Sequence, residues 1–435
     1  MCKATPSFVI SAFKWWKAWH ASIYLPHNPI TIMPNIILFD NEVRDRLLPL
    51  TFTRPVGELR MGILTIREKW ERWMDAPVSY ITQDYLAERF EIEYGKDNYI
   101  INGSVLPSPQ LVRLIKQMDY NEAYLRGEEL IVAKLDEEQI SRLISDDDIS
   151  ELNGFDLEGT EYLKIDYLWD IYRHNQQAIA EDFELLTKGR KSAPLSASNR
   201  VVGDPAQIFL EEGANVECAT LNTVDGPIYF GKDSLVMEGC MIRGGFSLGE
   251  GGILKMGAKV YRGTTLGPGC KGGGEINNVV MLANSNKSHE GYLGNAVLGE
   301  WCNIGADTNA SNLKNNYDEV RVWSYEEERF VKTGQQFCGL FMGDHSKTGI
   351  STMLNTGTVI GVCANVFGEG FPRTFIPSFA WGGKQGFQTY RSDKAFETMD
   401  RVMERRGHTL SVQERLILLR VFEDTRQYRK WEKED

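Results

Sequence analysis

The sequence has little that would cross-link it, anchor it in a bilayer or charge it positively. Its 435 residues hold seven cysteines, an odd number, at positions 2, 218, 240, 270, 302, 338 and 363. None forms a Cys-x-x-Cys pair, so neither a disulfide framework nor a zinc site is indicated. Reduced, mostly buried thiols in a cytoplasmic protein are the plain reading. No run of about 18 apolar residues occurs, so no helix is encoded that would span a membrane. Basic residues are in deficit: 48 Lys and Arg against 60 Asp and Glu leave a net charge of −12. No basic cluster appears along the chain, which argues against nucleic acid as a partner.

What is present is an ordinary globular balance, 42% hydrophobic and 25% charged. At roughly 150 residues per domain the length suggests two or three domains. The aromatic opening segment, 8–24, is interrupted by Lys14, Lys17 and His20, which spoils it as a signal-peptide core. Pro26, Pro29 and Pro34 separate it from Ile36-Ile37-Leu38-Phe39, the first strand. Residues 1–32 therefore read as an appendage, with Met33 as the natural start. Residues 33–190 alternate short apolar runs (36–39, 99–101, 130–132) with helical patterns (64–73, 178–186), the texture of an α/β domain. A small, polar and basic linker follows at 188–200. Helical patterning is absent from 204–383, and two helices are expected within 392–435. Ser392 is placed as the cap of the first. Ser411 with Glu414 has capping-box spacing for the second.

Glycine, 41 residues, is informative through its placement in 204–383. Positions 230, 236, 242, 248, 254, 260 and 266 are Phe, Val, Ile, Leu, Leu, Val and Leu, an unbroken apolar series at a spacing of six. Gly231, Gly249 and Gly267 follow every third one, 18 residues apart. A second series runs Met342, Thr348, Leu354, Ile360, Val366, and a third Tyr292, Leu298, Ile304. A six-residue period makes one side of a triangular coil, and 18 residues make one turn. Each sixth residue points inward, and stacked aliphatic side chains form a continuous narrow core. The alternative is a glycine-rich β-sandwich, which would not produce seven hits in succession.

Within this coil, His289-Glu290-Gly291-Tyr292-Leu293-Gly294, then Leu298-Gly299 and Asn303-Ile304-Gly305-Ala306, follow the pattern H-x-x-Y-L-G…I-G…N-I-G-A. With an α/β domain before the coil, the sequence resembles the bifunctional N-acetylglucosamine-1-phosphate uridylyltransferase/glucosamine-1-phosphate acetyltransferases. Ser311-Asn312-Leu313-Lys314-Asn315 and 343–350 (GDHSKTGI) are closer to archaeal and Bacteroidetes-type relatives. The resemblance covers about 33–383 and is most specific over 276–366. It implies a left-handed parallel β-helix and names His289 as general base, taking a proton from a sugar amine as the amine attacks an acetyl thioester. It also implies that Asn303 orients the base, and that Tyr292, Asn312, Lys314 and Arg262 hold the sugar phosphate. Ala306 and Asp344 then serve acetyl-CoA and the developing oxyanion. The family's lysine pair before the histidine is replaced by Asn277-Asn278, and Lys287 or Lys314 is the available compensation.

Arg46-Leu47-Leu48-Pro49-Leu50-Thr51 with Arg54-Pro55 resembles the opening of sugar-1-phosphate nucleotidyltransferases. The usual glycine-rich phosphate loop is replaced by 40–45 (DNEVRD), which has no glycine. Arg44, Arg46, Arg54 and Arg60 are the candidate phosphate ligands. Asn102-Gly103-Ser104 stands where a metal-binding aspartate is expected, so no metal ligand is assigned, and Mg²⁺ is expected only if this half is active. The expectation is a cytoplasmic homotrimeric transferase of UDP-GlcNAc-type sugar-nucleotide and cell-envelope biosynthesis. It would use acetyl-CoA, a hexosamine-1-phosphate and a nucleoside triphosphate (UTP or dTTP). Two alternatives stay open: a nucleotidyltransferase whose coil only oligomerises, and a non-catalytic scaffold.

Overall fold

A computed structural model describes residues 34–144 and 152–432. The appendage at 1–32 and the proposed start at Met33 lie outside the described residues. The chain divides into two compact units.

Among the described residues, the first comprises 34–44, Arg54–Glu58, 65–144 and 152–166. Its six-stranded sheet has the order β2-β1-β3-β5-β4-β6, with β1 (Asn35–Phe39), β2 (Val78–Ile81), β3 (Asn98–Asn102), β4 (Glu122–Arg126), β5 (Glu129–Leu135) and β6 (Asn153–Asp156). β1 runs parallel to both β2 and β3, while β5 is antiparallel to β3 and β4. Ile36, Ile37 and Leu38 are all buried, as expected of a central strand covered on both faces. One covering helix, α1 (Ile66–Met74), starts at a capping box in which Thr65 and Glu68 each accept the other's backbone N–H. Its Trp70 is fully buried and donates Nε1–H to the Val105 carbonyl at 2.9 Å. From β1 the chain moves to β2 on one side, then returns to β3 on the other. That reversal opens a crevice at the carboxyl ends of β1 and β3, where open α/β sheets bind ligands.

The second unit comprises Asp45–Thr53, Leu59–Leu64 and 167–432. Its body is a parallel β-helix of about ten turns. Each turn lays a short strand on three sides. One side stacks Leu221, Ile242, Val260, Ile276 and Leu293 inward; a second stacks Phe230, Leu248, Leu266, Met281 and Leu298. The third stacks Val216, Val236 and Leu254. All seven residues of the first six-spaced series are buried in this core, as are all five of the second. The third series departs at its first member. Leu293 is inward and Tyr292 outward, because the corner before Leu298 is one residue shorter there and is turned by Asn295 at φ 45°.

A long helix, α2 (Leu168–Thr187), packs on the coil through Asn175, which donates to the Gly263 carbonyl at 2.8 Å and to Thr265 at 3.0 Å. Asn175 also accepts from Gly62 N at 2.7 Å, and Asp182 accepts from the backbone of Ile63 and Leu64. The coil is interrupted by an excursion carrying an antiparallel hairpin, Arg321–Ser324 with Arg329–Lys332. Two helices close the unit, α3 (Ser392–Glu404) and α4 (Val412–Asp424). Ser411 and Glu414 form the expected capping box. Ser392, by contrast, lies inside its helix: Arg391 is the N-cap, without a side-chain cap bond.

Candidate functional site

In the first unit, the crevice at the ends of β1 and β3 is polar and tightly organised. Asp40 accepts from Val56 N at 2.9 Å and from Thr82 Oγ1 at 2.6 Å. Asn102 Oδ1 accepts from Ser104 N and Oγ, and its amide donates to Glu129 Oε1 at 3.0 Å. Asn41 donates to the same oxygen at 3.1 Å. Lys164 bridges Glu129 Oε2, at 2.8 Å, and Asp166. Arg44 reaches the Tyr85 hydroxyl at 2.5 Å, and Arg54 is buried in the same unit.

The four candidate phosphate arginines divide between the units. Arg44 and Arg54 belong to the first, Arg46 and Arg60 to the second. Buried Arg60 donates to the Leu282 carbonyl at 3.1 Å and to the Ile63 carbonyl, so its guanidinium ties a loop to the coil. Arg46 faces Glu326 at 3.4 Å and lies over the Tyr167 ring.

On the coil, one corner gathers several of the acetyltransfer candidates. His289 is exposed there. The Asn286–Asn303 bridge and the bond from Asp307 N to the Glu290 carbonyl set Ala306 one turn away from His289 at the same corner. The Ala306 carbonyl accepts from Ser351 N at 2.7 Å. Asn303 stands on the adjoining side and accepts from the Asn286 amide at 3.3 Å. Beneath the corner, Lys287 occupies an inward position opposite Gly272, where a side chain would meet Leu266, Leu254 and Ile276. Its ammonium donates to the carbonyls of Gly273 and His289, and burial lowers its pKa to about 8.

Tyr292 begins the next side. Its ring lies over Gly294, so close that a Cβ there would sit 2.3 Å from the hydroxyl and 2.8 Å from Asn312 Nδ2. Burial raises the Tyr292 pKa, against hydrogen bonds from Asn277 and Asn312. Asn312 donates to Asn295 at 2.7 Å, and Asn295 in turn to Asn278, whose amide reaches the carbonyls of Gly263 and Tyr172. This asparagine ladder occupies the stretch in which the family's lysine pair was expected. Arg262 is exposed beside it, and Lys314 donates to the Glu319 carbonyl.

Asp344 lies at a different corner of the coil. It is buried and accepts from Glu300 N at 2.8 Å and from Thr53 Oγ1 at 2.7 Å. The structure thus groups His289, Ala306, Asn303 and Tyr292 with Asn312, and sets Asp344 apart from them.

Residues 36–191 match the family model described as sugar nucleotidyl transferase. A bifunctional sugar-1-phosphate nucleotidylyltransferase/acetyltransferase of Sulfurisphaera tokodaii is 31% identical over 93 residues, 21% of this chain and 23% of that protein. The bifunctional protein GlmU of Methanococcus aeolicus is 34% identical over 87 residues, 20% of each chain. The chain resembles the bifunctional sugar-1-phosphate nucleotidyltransferase/acetyltransferases. The alignments span between a fifth and a quarter of those relatives' length. Among solved structures, Arabidopsis UDP-N-acetylglucosamine acyltransferase aligns at TM-score 0.25 and 13% identity over 55% of this chain and 90% of that one.

Among the described residues, no group of three or more His, Cys, Asp or Glu side chains is placed to share a metal ion. At the crevice, Glu129 and Asp166 are bridged by the Lys164 ammonium, so the protein side of a magnesium site is not assembled by these groups. The Glu129–Lys164–Asp166 cluster was not legible in advance, because its members come from separate segments with no shared spacing. Lys287 carried a signal: a lysine among inward aliphatic positions is a buried cation that needs carbonyl partners.

Proposed function

We propose that this protein is a transferase of sugar-nucleotide biosynthesis with one chemistry in each unit. The observation that carries the reading is the succession itself: a sugar nucleotidyl transferase match over 36–191, then a parallel β-helix presenting an exposed His289 at a corner shared with Ala306 and flanked by Tyr292. In the coil, the His289 imidazole takes the amine proton of a hexosamine-1-phosphate as its nitrogen attacks the acetyl-CoA thioester carbonyl. The C–N bond forms, and the C–S bond breaks with the coenzyme thiol leaving. Backbone N–H groups around Ala306 face the developing oxyanion, Asn303 orients the base and amine, and Lys287 fixes the corner by holding the His289 carbonyl. Tyr292, Asn312, Lys314 and Arg262 receive the sugar and its phosphate. In the first unit, Arg44 and Arg54 hold the phosphates of UTP or dTTP for transfer to the acetylated sugar phosphate. On this reading the chain acts in the cytoplasm as a homotrimer with acetyltransfer sites between neighbouring coils; the flat sides of the coil and cyclic closure support the trimer.

A second reading has one observation in its favour. β3 ends in Asn102 in place of an acid: its oxygen is turned onto Ser104, and the neighbouring carboxylate, Glu129, is already paired with Lys164. On this reading the first unit keeps the fold without nucleotidyl transfer.

The test is to assay the purified chain with acetyl-CoA and glucosamine-1-phosphate by thiol release, then with GlcNAc-1-phosphate and each nucleoside triphosphate by pyrophosphate release. His289→Ala should slow acetyl transfer about 100- to 10,000-fold and leave nucleotidyl transfer intact. Arg44→Gln should do the reverse. Wild-type acetylation by His289→Ala overturns the base assignment. Acetylation without pyrophosphate release from any triphosphate establishes the second reading. Light scattering should return three times the 49.4 kDa chain mass, and a monomer would refute the trimer.

A further inference from the structure

The coil assembles a group of cations that the linear sequence scatters. Lys271 opens a strand on the third side of the coil and pairs with Asn286 across the sheet. Because its neighbour Gly272 faces inward, opposite Leu254, Lys271 faces outward. Lys255 follows the inward Leu254 and faces outward in the same way, its Cβ packed beside Gly273. The turn after α3 brings in Arg405 and Arg406. The Arg406 guanidinium is held in place by the Gly269 carbonyl at 2.9 Å, Asn286 Oδ1 at 2.6 Å and the face of Trp301 at 5.7 Å.

Among the described residues, none of these four side chains makes an ion pair. Burial, then Arg406, Lys255 and Arg405, lower the Lys271 pKa, and burial with Arg405 lowers that of Arg406. The group is therefore mutually repelling in a chain whose net charge is −12. The carboxyl end of α3 accounts for part of it, since a helix C-terminus attracts cations. A half charge does not neutralise four.

We propose that Lys255, Lys271, Arg405 and Arg406 form a binding site for a phosphoryl anion of at least two phosphates. Two flexible ammonium groups and an uncommitted guanidinium beside a fixed one suit tetrahedral phosphate oxygens, which accept several charge-assisted hydrogen bonds at once. The site adjoins the His289 corner, because Lys255 and the Ser288 carbonyl both flank Gly273. Its existence does not depend on the acetyl-transfer reading.

Calorimetric titration of the full chain with inorganic pyrophosphate tests the proposal. We expect saturable binding that weakens about 100-fold or more in the Lys255→Gln/Lys271→Gln double variant, since each charge-assisted bond is worth roughly a factor of ten or more. Lys191→Gln, which removes the same charge elsewhere, should leave the affinity unchanged. The double variant, relieved of repulsion, should also melt at or above the wild-type temperature without ligand. ADP binding more tightly than pyrophosphate at this site names a nucleotide-bearing ligand as its source; equal affinities name the free diphosphate. Absence of saturable binding overturns the site. So does pyrophosphate binding that survives in the double variant and is lost in Arg44→Gln, which would place the anion in the first unit.

Discussion

Thr53 Oγ1 donates a 2.7 Å hydrogen bond to Asp344 Oδ2, with both side chains buried. The pair joins a segment resembling the start of a nucleotidyltransferase to a corner of the coil, and Asp344 also holds Glu300 N at 2.8 Å. A hydrogen bond to a buried carboxylate contributes about 1.5–3 kcal/mol, and its loss leaves the charge under-solvated. Thr53→Val should therefore lower unfolding stability by about that amount in urea titration. A change below about 0.5 kcal/mol would mean water replaces the hydroxyl, contrary to the burial of the pair.

Gly62 offers a second check on the same docking. Its φ is 85°, and a Cβ would lie 2.4 Å from Asp182 Oδ2 and 2.8 Å from the Ala178 carbonyl. The left-handed backbone alone costs alanine about 1–2 kcal/mol, and the contact with backbone cannot be relieved by a rotamer change. Gly62→Ala should cost at least about 2 kcal/mol, read as a lower thermal midpoint. A midpoint within a degree of wild type would show that this loop is not held as described.

Lys287 makes a pH-dependent prediction. Its folded-state pKa of about 8 lies below the ordinary 10.5. Between those values the unfolded chain still binds the proton and the folded one has released it, so stability rises with pH across this window. The full contribution is about 3 kcal/mol. Subtracting Lys287→Met from wild type isolates it: the difference in unfolding free energy should shift in favour of wild type between pH 8 and 10.5. A flat or falling difference would contradict the burial of the ammonium.

The asparagine ladder separates backbone from side-chain effects. Asn295 sits at φ 45° and links Asn278 to Asn312. Asn295→Ala should cost about 1–3 kcal/mol from lost hydrogen bonds and strain together. Asn295→Gly should recover the backbone part, because glycine adopts positive φ freely. Equal losses in both variants, by thermal unfolding, would assign the whole effect to the side chain.

Much of the fold was legible because periodicity is a local property. Phe230 to Leu266 at intervals of six require no knowledge of distant residues to be read as an inward stripe, and each is buried. The same holds for the Ser411–Glu414 box, which depends on four consecutive residues. Tyr292 fits the six-residue spacing yet faces outward, because a corner shortened by one residue changes the phase without altering the composition.

What the chain alone determined, then, was the coil, the α/β half before it and the closing helices. The tertiary structure decided the rest. It divided the four arginines between two units, set Asp344 under Thr53, and drew Lys255, Lys271, Arg405 and Arg406 into one patch of an acidic protein. Periodicity is written in neighbouring residues, whereas electrostatics depends on distance in space. A coil that stacks residues about 18 apart, and then folds its last helices back onto its side, creates proximities that no local spacing encodes.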